Sequence, residues 1–157
     1  MAQPSDQVSV TTDVPGLLDL VGKPLGPTAW RSLTQEQVQQ FADLTDDHNP
    51  IHVDPVAAAE TPFGGTIVHG YFTVALLAPL LAELLVVEDT SLSINYGFDK
   101  LRFPSPVPVG AEFRATAEIS EAVEKGSFVE IQVATTVEVR DSDKPALVAE
   151  CRFRYAA

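Results

Sequence analysis

A chain of 157 residues is long enough for one sizeable core and short for two, which predicts a single domain over 1–157. Hydrophobic residues make up 45% and charged residues 20%, the proportions of an ordinary globular protein rather than a disordered or fibrous one. The formal charge of −12, from 22 acidic and 10 basic residues with no basic block, argues against nucleic acid and anionic membrane surfaces as partners.

The first dozen residues are polar and patternless, so residues 1–12 are expected to be loosely ordered. The opening MAQPSDQVSV has neither a basic n-region nor an apolar h-region, and Cys151, the sole cysteine, has no partner for an internal disulfide; both point to the cytosol. PGLLDLVGKPLGP reads as a short apolar turn or helix, and TAWRSL as a short strand. In TQEQVQQFADLTDD, Thr34 and Gln37 have capping-box spacing, and Val38, Phe41, Ala42 and Leu44 recur with helical period, predicting a helix ending near Thr45.

Pro50 and Pro55 push Asn49 and Asp54 out of the α region, so DDHNPIHVDP is expected to be rigid and non-helical. PVAAAE then suits a short helix with Pro55 at its first position. A long apolar helix is predicted from about Gly70 to Val87, hydrophobic nearly all round and therefore covered on most faces. It contains Pro79 and Glu83 and is too short and too mixed for a membrane span.

Beyond it the period becomes two. Leu92, Ile94, Tyr96 and Phe98 occupy even positions, Leu101 and Phe103 odd ones, and the switch beside Gly97 predicts a bulge. Three further alternating runs, beginning at Phe113, Val129 and Leu147, join through the turns EKGS and RDSDKP. Four strands in an antiparallel meander around one apolar helix make an α+β protein with the arrangement of a single hot-dog fold.

TDDHNPIHVDP holds the chemistry. On a helix, Asp47 and His52 would point well apart, but a proline-locked turn can fold a carboxylate and an imidazole toward one point, where they can hold and deprotonate a water. The plainer alternative has Asp47 capping a turn and His52 exposed. Metal ligation by Asp47, Asp54 and the three histidines is not expected, because no pair has a short zinc-like spacing and there is no second cysteine.

The run FADLTDDHNPIHVDP, followed by TPFGGTIVHGYFTVALL, strongly resembles the hydratase motif of the MaoC-like, (R)-specific enoyl-CoA hydratase family. Asp47, Asn49, Pro50 and His52 match its fixed positions, and the likeness extends through RFPSPVPVG, covering most of the chain from about residue 28. Within the family the chain is similar to the single-domain 3-hydroxyacyl-thioester dehydratases of actinobacteria, the nodulation-protein-N-like branch.

The resemblance implies reversible hydration of trans-2-enoyl thioesters to (R)-3-hydroxyacyl thioesters with no metal or redox cofactor. His52 would be the base, Asp47 would orient the water and share proton delivery, Asn49 and Pro50 would fix the loop, and the Gly70 N–H would stabilise charge on the thioester oxygen. His69 reads as a residue fixing the loop at the helix start, and His48 as exposed. Asp46 stands where many relatives have glycine and is expected to face solvent.

Tyr71, Phe63 and Phe72 are candidates to line an acyl channel, or are plain packing. Lys100 and Arg102, two apart on a strand, are candidates to receive the anionic carrier, either coenzyme A or an acyl-carrier protein, although a solvated strand edge has the same composition. An open sheet edge predicts a homodimer. Rival readings are a hot-dog acyl-CoA thioesterase and a non-catalytic partner subunit of a dehydratase complex; the presence of both Asp47 and His52 argues against each.

Overall fold

The computed structural model describes residues 9–157, so most of the expected loose start lies outside the described residues. The end of that stretch corrects the expectation: Val10–Thr12 form strand β1, paired in parallel with β3, Leu85–Val87. Three successive β-branched residues favour this extended chain.

A 3-10 turn, Pro15–Leu20, leads into the two-residue strand β2, Pro24–Leu25. TAWRSL is not the predicted strand; it is extended but makes a single bridge, Arg31 to Phe113. The ladder fails because a side chain takes part of its place: the Thr28 hydroxyl accepts the Ala115 N–H at 3.0 Å.

Helix α1, Gln35–Thr45, begins with the predicted capping box, in which Thr34 and Gln37 satisfy each other's backbone N–H groups. DDHNPIHVDP is not wholly non-helical, since Pro50–Val53 make one helical turn, α2. Pro50 excludes only its predecessor from the α region and is itself suited to a first helical position. Helix α3, Pro55–Ala59, follows as expected, with the Asp54 carboxylate accepting the N–H groups of Val56 and Ala57.

The central helix comes in two pieces, α4 (Gly70–Ala75) and α5 (Leu77–Leu84), and stops before β3. Pro79 explains the break: it has no N–H to give the Ala75 carbonyl, four residues back, and its ring crowds that carbonyl. The helix is covered on one side only. Leu77, Leu80, Leu81 and Leu84 are buried, whereas Ala75, Ala78, Pro79 and Ala82 are exposed. Among the described residues, no helix is long and apolar enough to cross a membrane.

Strands β4 (Leu92–Arg102), β5 (Phe113–Lys125), β6 (Phe128–Val139) and β7 (Leu147–Ala156) form the antiparallel sheet with β2, in the order β2-β5-β6-β7-β4. The four long strands are therefore not a simple meander: β4 pairs with β7 at the far edge rather than with β5. A ten-residue connector, 103–112, makes this crossing possible. The bulge expected beside Gly97 is present, with register shifts at Asn95/Gly97 and at Phe98/Lys100. Inward residues such as Phe113, Ile119, Ile131 and Val133 pack with the α5 leucines in one continuous core, and the sheet wraps the helix.

On the outer face of β6, Glu130 is only 1% exposed because Lys125, Arg152 and Arg154 close over it at 2.6, 3.1 and 2.6 Å. Hydrogen bonds from Lys125 and Arg154 hold its carboxyl at about 2, against an ordinary 4.5. Its stabilising contribution is complete above pH 4.5 and is lost as pH falls through about 2. Glu130→Gln is expected to lower the melting temperature by about 3–8 °C at neutral pH. Melts repeated near pH 2 should show the gap between variant and wild type closing.

Candidate functional site

The site is assembled where the end of α1, the turn α2 and the start of α4 meet. α1 ends because Asp46 adopts a left-handed conformation, φ 58°, and returns its N–H to the Ala42 carbonyl. A β-carbon is disfavoured in that conformation, and aspartate is among the better-tolerated non-glycine residues there. The Asp46 side chain faces solvent, as expected. The chain reverses, and Asp47 follows, its N–H also on the Ala42 carbonyl at 3.1 Å.

Asn49 caps α2, its side-chain oxygen accepting the Ile51 N–H at 3.2 Å. One turn later His52 points inward and is 8% exposed. Its Nδ1 lies 2.7 Å from the Ile67 carbonyl, which can only accept, so Nδ1 carries the hydrogen and Nε2 presents a lone pair. Burial holds the imidazole below its ordinary 6.5, partly offset by the bond to Ile67, so the ring favours its neutral, basic form.

His69 is 1% exposed and stacks on His52 with ring centroids 3.8 Å apart. Its Nε2 donates to the Asp47 carbonyl at 3.0 Å, a tie between the helix start and the loop. Its Nδ1 is buried with no partner among the described residues. Phe41 packs against both the His69 ring and Phe72. His48 is half exposed and turns away to Asp43 at 2.8 Å.

Asp47, His52 and His69 each place one polar atom within 4.8 Å of the others. Spacing along the chain could not show this, because the fold supplies the third member from another segment. Each ring has one nitrogen committed to a backbone carbonyl, His52 Nδ1 to Ile67 and His69 Nε2 to Asp47. Two hydrogen bonds of about 2.8 Å let one water bridge Asp47 and His52 across their separation.

Next to these groups lies a mostly apolar pocket of about 400 Å³, lined by His52, Phe63, Gly70, Thr73, Phe103 and Val107 among others. Gly70 lies close under Phe103: a β-carbon there would stand 3.2–3.3 Å from its ring, tighter than ordinary van der Waals contact. Phe63 lines the pocket, but Tyr71, also expected to line a channel, is 75% exposed and is not part of its wall. Lys100 and Arg102 are not equivalent. Lys100 faces Glu150 at 3.8 Å, while Arg102 makes no ion pair among the described residues and bonds the Leu101 carbonyl. A larger cavity, about 470 Å³, lies at the far end of α5 between Leu81, Leu85, Ile131 and Phe153. Its lining contains no histidine or carboxylate, unlike the neighbourhood of His52.

Gln35 is a site residue that the sequence did not reveal. Its side chain donates to the His52 carbonyl at 2.7 Å and accepts the Thr66 hydroxyl at 2.6 Å, clamping α2 to the segment before Gly70. A glutamine in the first turn of a polar helix face carries no signal for this role.

The family model described as MaoC like domain matches residues 18–142. A Mycobacterium tuberculosis protein named 3-hydroxyacyl-thioester dehydratase Z is 48% identical over 145 residues, covering 92% of this chain and 96% of its own. Nodulation protein N of Rhizobium meliloti is 41% identical over 133 residues, 83% of each chain. Among solved structures, the unliganded R-hydratase PhaJ1 from Pseudomonas aeruginosa superposes with a TM-score of 0.71 at 28% identity, covering 87% of this chain and 81% of that one. The hot-dog fold expected from the alternating strands and apolar helix is thus shared with hydratase structures.

Two measurements address this geometry. Long-range ¹⁵N–¹H spectra should show His52 with hydrogen on Nδ1 and a titration midpoint below 6.5. Asp46→Gly should raise unfolding stability in urea by about 0.5–1 kcal/mol, by relieving the left-handed residue at φ 58° while leaving the site in place.

Proposed function

The chain belongs to the MaoC-like domain family, and on that footing we propose that it is a hydro-lyase that reversibly hydrates trans-2-enoyl thioesters to (R)-3-hydroxyacyl thioesters. The observation that carries this reading is the meeting of the exposed Asp47 carboxylate and the buried, neutral His52 beside an apolar pocket.

In the hydration direction a water sits between Asp47 and His52. His52 Nε2 takes a proton from it as its oxygen bonds to Cβ, and the imidazolium then gives up that proton, with Asp47 sharing in its delivery, to Cα, so that one water is added across the double bond and both side chains return to their starting state. Charge develops on the thioester oxygen. Gly70 opens α4, where backbone N–H groups lack helical partners, and its N–H is the donor assigned to that oxygen. Asn49 and Pro50 set the turn that aims His52, and His69 is a positioning residue that holds the Asp47 backbone. Phe63 and Phe103 supply apolar wall for the acyl group or the thioester arm. No metal or redox group is assigned a step.

The same reading makes the protein a homodimer. Strand β4 is an edge with Leu92, Tyr96 and Phe98 exposed, and the central helix exposes small residues that permit close approach by a second copy. It also assigns the enzyme to the cytosol, in keeping with the free thiol at Cys151.

Loss of the enoyl absorbance of crotonyl-CoA on adding protein, with (R) product, tests the activity directly. Asp47→Ala and His52→Ala should each lower kcat by about 10²–10⁴-fold while remaining folded. The acid limb of kcat/KM should fall below pH 6.5, because protonating the depressed His52 removes the base. Release of free thiol without hydration would instead indicate a thioesterase.

A further inference from the structure

A one-turn helix satisfies few of its own carbonyls, and in α2 their partners can be followed one by one. The Asn49 carbonyl accepts the His52 N–H at 2.9 Å, and the Pro50 carbonyl accepts the Asp54 N–H at 3.0 Å. The Ile51 carbonyl accepts from outside the turn, from the Ile67 N–H at 3.0 Å. The carbonyl of His52 itself is left over. In a longer helix it would take the Val56 N–H, but the Asp54 carboxylate holds that group at 3.0 Å. Its donor is instead a side chain, Gln35 Nε2 at 2.7 Å, reaching across from the first turn of α1.

The Gln35 amide has one workable orientation there. The His52 carbonyl can only accept, so the nitrogen faces it, and the amide oxygen takes the Thr66 hydroxyl hydrogen at 2.6 Å. Thr66 precedes Ile67, whose carbonyl receives the His52 Nδ1–H. The backbone and the imidazole of His52 are therefore tied to the same two-residue segment, the backbone through Gln35 and the ring directly. Gln35 reaches from a fixed base, because the Thr34–Gln37 capping box pins the start of α1 on either side of it.

We infer that Gln35 is a positioning residue for the base: by capping the His52 carbonyl it fixes where the Nε2 lone pair stands relative to Asp47. The inference deepens the hydratase reading and rests on it for its consequence in turnover. Without Gln35, α2 keeps its backbone bonds, including the one to Ile67, so the turn survives but loses the contact that sets its tilt. Proton transfer is sensitive to such a change, since a displacement of about 1 Å can cost about 10²-fold in rate.

Hydrogen exchange at the two buried imidazoles of ¹⁵N-histidine-labelled protein tests this without requiring turnover. Gln35→Met keeps the length of the side chain and neither hydrogen bond. It should speed exchange of the His52 Nδ1–H by about tenfold, while the His69 Nε2–H, bonded to the Asp47 carbonyl, exchanges at the wild-type rate. With crotonyl-CoA, kcat should fall by about tenfold and KM should stay within about twofold. Thr66→Val should move both readouts the same way by about threefold, and the double variant should match Gln35→Met, because Thr66 acts through Gln35. Unchanged His52 exchange in Gln35→Met overturns the inference, as does equal acceleration at both histidines, which would mean general loosening. Faster His52 exchange with wild-type kcat also overturns it. If Gln35→Met does not fold, Thr66→Val gives the same two readouts, and wild-type values there are the overturning result. A wild type without turnover rejects the hydratase alone, and the exchange rates still decide whether Gln35 places the ring.

Discussion

The bond from His52 Nδ1–H to the Ile67 carbonyl, 2.7 Å, ties backbone register to acid–base identity. Alongside it, the Ile67 N–H bonds the Ile51 carbonyl at 3.0 Å, so adjacent residues of the α2 turn and the pre-α4 segment hold each other through two contacts. The first contact decides which ring nitrogen has the hydrogen and therefore which one keeps a free lone pair. The pre-α4 segment is itself fixed by the proline-rich connector, through Val68 N–H to the Val107 carbonyl and Val109 N–H to the Thr66 carbonyl. The Gly110 N–H then returns to Leu33, just ahead of α1. A slip anywhere in this circuit would change the position of the Ile67 carbonyl and with it the chemistry of His52.

Features written in local patterns were readable from the chain, and features decided by distant partners were not. Thr34 with Gln37 announces the start of α1, and alternating residues from Phe113, Val129 and Leu147 announce three strands, because capping and pleat are properties of neighbouring residues. The β4 bulge was visible for the same reason, as a change of parity beside Gly97. The placement of β4 beside β7 was hidden, since alternation says which face is buried but not which strand lies alongside. The break in the central helix was half visible: Pro79 was in plain sight, but its effect falls on Ala75, where the composition favours helix.

The site divides similarly. Asp47, Asn49, Pro50 and His52 lie within six residues and carry a recognisable pattern, whereas Gln35 and the Ile67 carbonyl act on His52 from 17 and 15 positions away. His69 could be read as a residue fixing the loop, but its contact, the Asp47 carbonyl, is a backbone atom that no side-chain pattern encodes. Tyr71 misled because aromatic residues at a helix start look alike in sequence. One position of rotation separates it from the pocket wall, and only packing decides which way it turns.

Exposure separates the two members of the central pair. Asp47 is exposed and sits just after a left-handed residue, where its carboxylate keeps access to water, while His52 is enclosed and disfavours its charged form. On the proposed hydratase reading, the exposed carboxylate can hold a water while the enclosed imidazole accepts its proton at the wall of the apolar pocket. Burying both would penalise the carboxylate, and exposing both would leave the imidazole protonated more of the time as pH falls. The αL reversal at Asp46 and the proline turn after Asn49 permit this asymmetry, because they place the two residues at different depths within a six-residue span.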